Sequence, residues 1–205
     1  MLTDPTFLAA AFVTLFVVID PIGLAPLFIA LTGGMSPAQR RAVGLRACIV
    51  ATILLTVFGL AGEIILAGIG ISMPAFQIAG GILLFLTALD MLFDRRSERR
   101  AGHAAEVPDP SVFPLAMPLI AGPGAMASMI LLVGQTGWEW QGVLAVHLIM
   151  LAVVGLGFLL FLVAIPLERA LGRTGTMVVT RLLGMLLAAL SVQFVLNGMR
   201  GAGLF

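Results

Sequence analysis

Long apolar runs, separated by short polar or glycine-rich breaks, fill the chain from end to end. A helix rises about 1.5 Å per residue, so a hydrocarbon core of roughly 30 Å is crossed by about 20 such residues. Six runs reach that length, approximately Phe7–Leu31, Ala47–Ile71, Pro74–Phe93, Val112–Val133, Gly142–Pro166 and Met177–Met199. Between them lie Gly33–Arg46, a Gly70–Met73 turn, the charged Asp94–Asp109 segment, Gly134–Gln141 and Leu167–Thr176, none long enough to hold a domain. The pattern predicts an all-α polytopic membrane protein, a single transmembrane domain over residues 1–205.

Composition agrees. The 205 residues are 60% hydrophobic and 10% charged, with a mean hydropathy of +1.15, whereas a water-facing surface needs about 25% charged residues. Eleven basic and ten acidic side chains nearly cancel, and the basic ones are scattered, which excludes a nucleic-acid partner. The single cysteine, Cys48, excludes a disulfide framework and a metal site built from thiolates.

Short cytoplasmic loops retain arginine. The first, third and fifth links carry Arg40, Arg41 and Arg46, then Arg95, Arg96, Arg99 and Arg100, then Arg169, Arg173 and Arg181, leaving only Arg200 on the opposite side. These links are therefore expected in the cytoplasm and both termini outside the cell membrane. No basic residue precedes the first run before Arg40, so that run reads as a retained span rather than a cleaved signal.

The two halves align at an offset of about one hundred residues. Phe76-Gln77-Ile78-Ala79-Gly80-Gly81-Ile82-Leu83-Leu84 lies over Val179-Thr180-Arg181-Leu182-Leu183-Gly184-Met185-Leu186-Leu187, matching Gly81 with Gly184 and Asp90 with Gln193. The first run is broken at Asp20-Pro21-Ile22-Gly23, with Pro26 behind it, and the fourth at Gly122-Pro123-Gly124, so Pro21 and Pro123 correspond. Three spans per half is an odd number, so the second copy enters from the opposite side, an inverted repeat. Repeat one covers about 1–94, a cytoplasmic loop about 95–111 and repeat two about 112–205.

Proline removes a backbone donor and clashes with the preceding turn, and the groups freed by such a break must face protein or a water-filled cavity. Counted from the membrane faces, Gly122 lies about 14 Å in and Asp20 about 20 Å in. Broken helices meeting there offer N-terminal ends to a carboxylate and carbonyls to a cation. A carboxylate this deep is costly, so Asp20 is the sharpest candidate for an ammonium group, a sodium ion or a coupling proton; it also suits a simple helix cap after which Pro21 begins the next half. Asp90 and Glu63 read as interfacial charges. Gln193 and Asn197, spaced i,i+4, share a helix face that either glues helices or lines a path, with Ser191 nearby but off that line. Gln77 sits near the outer end of its run, and a lone His147 reads as structural. Gly80, Gly81, Gly184 and Ala188 permit close helix contact. The chain has no nucleotide loop, zinc signature or nucleophile elbow, so neither an enzyme nor a cofactor is expected.

At Asp20-Pro21-Ile22-Gly23-Leu24-Ala25-Pro26, at Phe76–Phe85 and at Phe113-Pro114-Leu115-Ala116-Met117-Pro118-Leu119-Ile120-Ala121-Gly122-Pro123-Gly124, the chain resembles the MarC family, which includes SnatA-type neutral amino acid transporters. The likeness runs nearly the whole length, through Arg181–Gly184 and Val192–Gly198. It implies a six-span inner-membrane protein, with transport of glycine or alanine assigned to some relatives. Members often carry arginine where this chain has Gln77, which removes an anion contact, and some carry asparagine in place of Asp20.

The expectation is a secondary transporter of small neutral amino acids or similar solutes. Asp20, Pro21 and Gly23 would face an ammonium group or coupling cation, H+ or Na+. Gly122, Pro123 and Gly124 would face a carboxylate, and Gln193 and Asn197 would line the pathway. The partners are the lipid bilayer and the solute, with homo-oligomer formation open. The alternatives are efflux of another metabolite or a drug-like compound, and a non-transporting membrane scaffold.

Overall fold

The computed structural model describes residues 5–93 and 109–204. The loop arginines Arg95, Arg96, Arg99 and Arg100, and the side chains of Asp90, Arg169 and Arg173, lie outside the described residues. All regular structure among the described residues is helical: α1 (Pro5–Ile19), α2 (Pro21–Leu31), α3 (Pro37–Gly68), α4 (Met73–Leu92), an irregular wide-turned segment (Ser111–Ile120), α5 (Pro123–Gln135), α6 (Trp140–Leu162) and α7 (Ala164–Gly201).

Two helix starts correct the sequence reading. Residues 37–46, expected in a link, form the opening turns of α3. Pro37 sits in the first turn and Ser36 caps it, accepting the Gln39 N–H while the Gln39 side chain accepts the Ser36 N–H. This reciprocal box satisfies two amides that would otherwise be orphaned, so the helix extends through the arginines instead of starting at Ala47. Residues 167–176, expected as the fifth link, are likewise helical within α7, interrupted only at Gly172, whose φ of 62° lies in the region that glycine adopts without penalty. An apolar run locates the hydrocarbon-crossing part of a helix; its flanking turns continue through polar residues.

Among the described residues, three stretches are long and apolar enough to cross a membrane, Pro5–Ala25, Pro37–Gly68 and Trp140–Leu162. The irregular segment and α5 meet at a bend of 53° and make a fourth if counted as one span. Among the described residues the third expected run contributes only the shorter apolar stretch Met73–Leu86, and α7 does not meet the same test.

The exposed surface is itself apolar. Along α3, Ile49, Ile53, Val57, Leu60 and Ile64 point outward, Ile64 at 72% exposure. The opposite stripe, Ala47, Ala51, Leu55, Gly59 and Gly62, is buried and mostly small. An outward aliphatic face with small residues inward is how helices pack in lipid, where close backbone approach replaces hydrophobic driving force.

The principal contacts join the first half of the chain to the second. α4 lies along α7; α1 and α2 pack on α6; α3 packs on the irregular segment, α5 and α6. Close approach between α4 and α7 depends on glycine, since a Cβ at Gly81 would stand 2.7 Å from the Ser191 carbonyl oxygen and one at Gly198 2.8 Å from the Pro74 carbonyl oxygen. Arg46 near the start of α3 pairs with Asp109, while Trp138 Nε1 beyond α5 donates to Glu63 near the end of α3 at 3.0 Å. These ties put the α3 start and the lead into Ser111 at one end of the molecule, and the α3 end and the α5–α6 turn at the other.

Candidate functional site

The break between α1 and α2 is a single residue. Asp20 has φ 53°, a left-handed conformation that aspartate and asparagine tolerate better than other side-chain-bearing residues because they hydrogen-bond locally. Its backbone serves both helices, with its N–H donating to the Phe16 carbonyl at 2.9 Å and its carbonyl accepting the Leu24 N–H at 3.0 Å. Its Oδ1 accepts the Gly23 N–H at 3.0 Å, which caps α2 where Pro21 has no donor to satisfy. The carboxylate folds over Gly23 so closely that a Cβ there would run into it. Asp20 is 3% exposed, and Pro21 packs toward Gly157 of α6, whose Cβ would meet the proline ring at 3.7 Å.

The second break is built differently. The stretch before it is not a regular helix: the Leu115 N–H donates to the Pro110 carbonyl and the Ala121 N–H to the Ala116 carbonyl, five residues back, with extended backbone at Phe113 and Met117. Pro114 and Pro118 inside the segment remove the donors that a standard ladder would use. Gly122 then opens α5 with Pro123 in the first turn, and no side chain caps this helix among the described residues. Gly122 and Gly124 are required by packing, since a Cβ on the first would lie 2.6 Å from the Pro118 carbonyl oxygen and a Cβ on the second would strike Leu84 of α4. The two proline breaks therefore differ in charge: one N-terminus is closed by a carboxylate, the other presents backbone amides without one.

A cavity of about 220 Å³ lies between α1, α4, α5 and α7, and its polar lining comes from Thr14, Gln77, Ser128, Gln135, Gln193 and Asn197. Gln193 Nε2 donates to Asn197 Oδ1 at 2.8 Å. The Ser128 hydroxyl donates to the Gly124 carbonyl at 2.9 Å, so the lining reaches α5 one turn from its start, a rise of about 6 Å. The structure thus brings Gln193 and Asn197 together with Gln77 and with α5 from Ser128 onward, whereas neither Asp20, Pro21 and Gly23 nor Gly122, Pro123 and Gly124 line this cavity. Gln77, read from sequence as an outer-end residue, belongs to the lining; so do Ser128, Thr14 and Gln135, which sequence reasoning did not single out. Gln77 stands four residues before Gly81 on the α4 face that meets α7, and that spacing was the available signal.

The remaining candidates have structural partners. Glu63 holds Trp138. His147 Nδ1 lies 2.7 Å from the Val143 carbonyl, and a Cβ at Gly59 would come within 3.1 Å of both its Nε2 and Met129 Cε. The Ser191 hydroxyl donates to the Ala188 carbonyl at 2.6 Å. Outside the membrane-spanning segments, the Ser111 side chain and backbone N–H, followed by the Arg46 guanidinium, hold the Asp109 carboxyl below the usual carboxylate range.

Helices whose exposed faces are apolar, two of them broken at proline, define a polytopic helical integral membrane protein. The family model for MarC family integral membrane proteins matches residues 5–203, and the chain belongs to that family. Relatives include a UPF0056 membrane protein of Archaeoglobus fulgidus, 40% identical over 95% of this chain and 92% of its own. The UPF0056 membrane protein YvbG of Bacillus subtilis is 36% identical over 96% and 95% respectively, and the UPF0056 inner membrane protein YhgN of Escherichia coli is 34% identical over 93% and 95%. No solved structure matches the chain.

Proposed function

We propose that the protein is an inner-membrane secondary transporter of small neutral solutes, with neutral amino acids the class that the chemistry fits best. The observation that carries this reading is the cavity, about 220 Å³ in volume, in which uncharged amide and hydroxyl groups stand among apolar side chains such as Phe7, Leu131 and Phe194. Pockets for drug-sized ligands run from about 300 to 1,000 Å³, so the size favours a small solute over a bulky efflux substrate. Gln77, Gln193 and Asn197 would orient such a solute, and the N–H groups of Gly122 and Gly124, flanking Pro123 at the α5 N-terminus about one turn beyond the Ser128 lining and favourable to negative charge, would receive a carboxylate. Asp20, with Pro21 and Gly23, is assigned to coupling, as a buried carboxylate at a helix break that binds H+ or Na+ and adjusts the α1–α2 hinge.

In this reading six spans form two inverted repeats, α1–α4 and the irregular segment through α7. The contact pattern supports it: a two-fold that exchanges the halves carries the packing of the first broken span on α6 into that of α3 on the second broken span, and leaves the α4–α7 pair on itself. Alternating access would rock one repeat against the other, with the arginine-bearing ends in the cytoplasm and both termini outside.

The test is uptake of labelled glycine and alanine into proteoliposomes under imposed proton or sodium gradients. Wild type is expected to accumulate solute with one of the gradients. Asp20→Asn, which keeps a capping oxygen, should remain folded and lose gradient-driven accumulation while retaining exchange; Gln193→Leu should lose both. Absence of uptake by folded wild-type protein under every gradient overturns the transport reading.

A further inference from the structure

A second cavity, of about 310 Å³, opens where the end of α2, the start of α3 and the end of α6 meet, and its lining includes Phe28, Arg40, Arg41, Phe158 and Leu162. Its floor is aromatic: the Phe28 and Phe161 rings stack with centroids 4.4 Å apart and planes 11° off parallel. They stand over Gly44, where a Cβ would come within 3.4 Å of Phe28. One edge is basic and, among the described residues, contains no acidic side chain. Arg46 has a carboxylate partner in Asp109, but Arg40 has no ion pair among the described residues, and its Nε is buried without a hydrogen-bond acceptor. A buried guanidinium N–H without an acceptor is costly, and near a membrane surface an outside anion can supply one. The other edge is apolar and faces outward, with Leu162 at 46% exposure.

We propose that this cavity is a binding site for one anionic phospholipid. The phosphodiester accepts from Arg40 and Arg41, and an acyl chain lies along Phe158 and Leu162 toward the bilayer. A soluble anion would satisfy the guanidinium groups but leave the apolar edge unused; a zwitterionic lipid would cover that edge but bring its own cation to the arginines. Basic pockets between helices on the cytoplasmic side are where anionic headgroups bind, and the arginine-rich end is the one that charge distribution assigns to the cytoplasm. The inference does not depend on transport, because it concerns a different cavity and is read by binding alone.

The experiment is native mass spectrometry of the purified full-length chain with phosphatidylglycerol and phosphatidylcholine of matched acyl chains, added singly and in competition. Wild type is expected to retain one phosphatidylglycerol in preference to phosphatidylcholine. Each arginine near anionic headgroups contributes about 5-fold, so Arg40→Gln with Arg41→Gln should reduce the preference by roughly 25-fold. Arg46→Gln, outside the lining, should leave it within about 2-fold, because its charge is already paired with Asp109. Equal retention of the two lipids by wild type overturns the proposal without reference to any variant, even if the double variant fails to fold. It is also overturned if Arg46→Gln loses as much as the double variant, which would indicate diffuse surface charge, or if inorganic phosphate displaces the lipid, which would indicate a soluble-anion site.

Discussion

Replacing Gly23 by alanine should reverse the sign of its effect according to what stands at Asp20. In the wild type the new methyl group would overlap the Asp20 carboxylate, and relieving that overlap means giving up the hydrogen bond from the Gly23 N–H to Oδ1 at 3.0 Å. Overpacking a well-filled site costs about 1–3 kcal/mol. In an Asp20→Ala background the obstruction and the cap are both gone, and alanine in place of a helical glycine gains about 1 kcal/mol. The double-mutant cycle should therefore show a coupling of about 2–4 kcal/mol. Converted at about 2–4 °C per kcal/mol for a chain of this size, Gly23→Ala should lower the thermal midpoint by about 2–12 °C alone. In the Asp20→Ala background it should raise the midpoint by about 2–4 °C. The assay is the loss of monodisperse protein on heating in detergent, followed by fluorescence-detected size-exclusion for all four members of the cycle. An effect of the same sign and size in both backgrounds would refute the placement of the carboxylate over Gly23, and with it the account of how α2 is capped.

Two further outcomes test the ends of the molecule. Cys48 is 7% exposed, so cysteines introduced at the exposed positions Ala38 and Gln141 report alone: a membrane-impermeant maleimide should label Gln141→Cys in intact cells and Ala38→Cys only after the membrane is opened, and the reverse pattern would overturn the proposed topology. Asp109 gives a pH dependence, because a carboxyl with a lower pKa folded than unfolded stabilises the fold above its unfolded pKa and loses that contribution as pH falls through the folded one. The wild-type advantage over Asp109→Asn in thermal midpoint should be constant near neutrality and shrink as pH drops below the ordinary 3.8; an advantage that grows on acidification would contradict the Arg46 and Ser111 contacts.

The sequence made the membrane character and both breaks legible for one physical reason: lipid tolerates so few polar groups that runs, prolines and deep charges stand out against an apolar background. It was less informative where the chain leaves the hydrocarbon. The Ser36–Gln39 capping box is a recognisable sequence signal, yet hydropathy starts the second span at Ala47 because it registers arginines as a boundary, when they occupy the first turns of α3. The same bias hid the start of α7. In the fourth run Pro114 and Pro118, four residues apart, already forbade a regular helix before Gly122, so the break extends well before the Gly-Pro-Gly that announces it.

The site was harder to read, because a cavity is a property of how helices meet. Gln193 and Asn197 declared a polar face through their spacing, but their partners Gln77 and Ser128 are fixed by contacts between helices distant in sequence. The α4–α7 approach at Gly81 and Gly198 places Gln77 against that face, and the Gly124–Leu84 contact draws Ser128 of α5 to the same place. The glycines that looked like architecture are thus what assembles the polar lining. Asp20 shows the converse. Its depth and charge made it the most conspicuous residue, and the geometry gives it a complete local task in capping α2 through Gly23. A capping carboxylate and the coupling carboxylate proposed above would use the same group, so protonating or metallating Asp20 would draw on the bond that caps α2. On the proposed reading, ion occupancy at Asp20 would thereby bear on the angle of the broken helix, and Asp20→Asn, which removes the charge while keeping a capping oxygen, tests the coupling role apart from the cap.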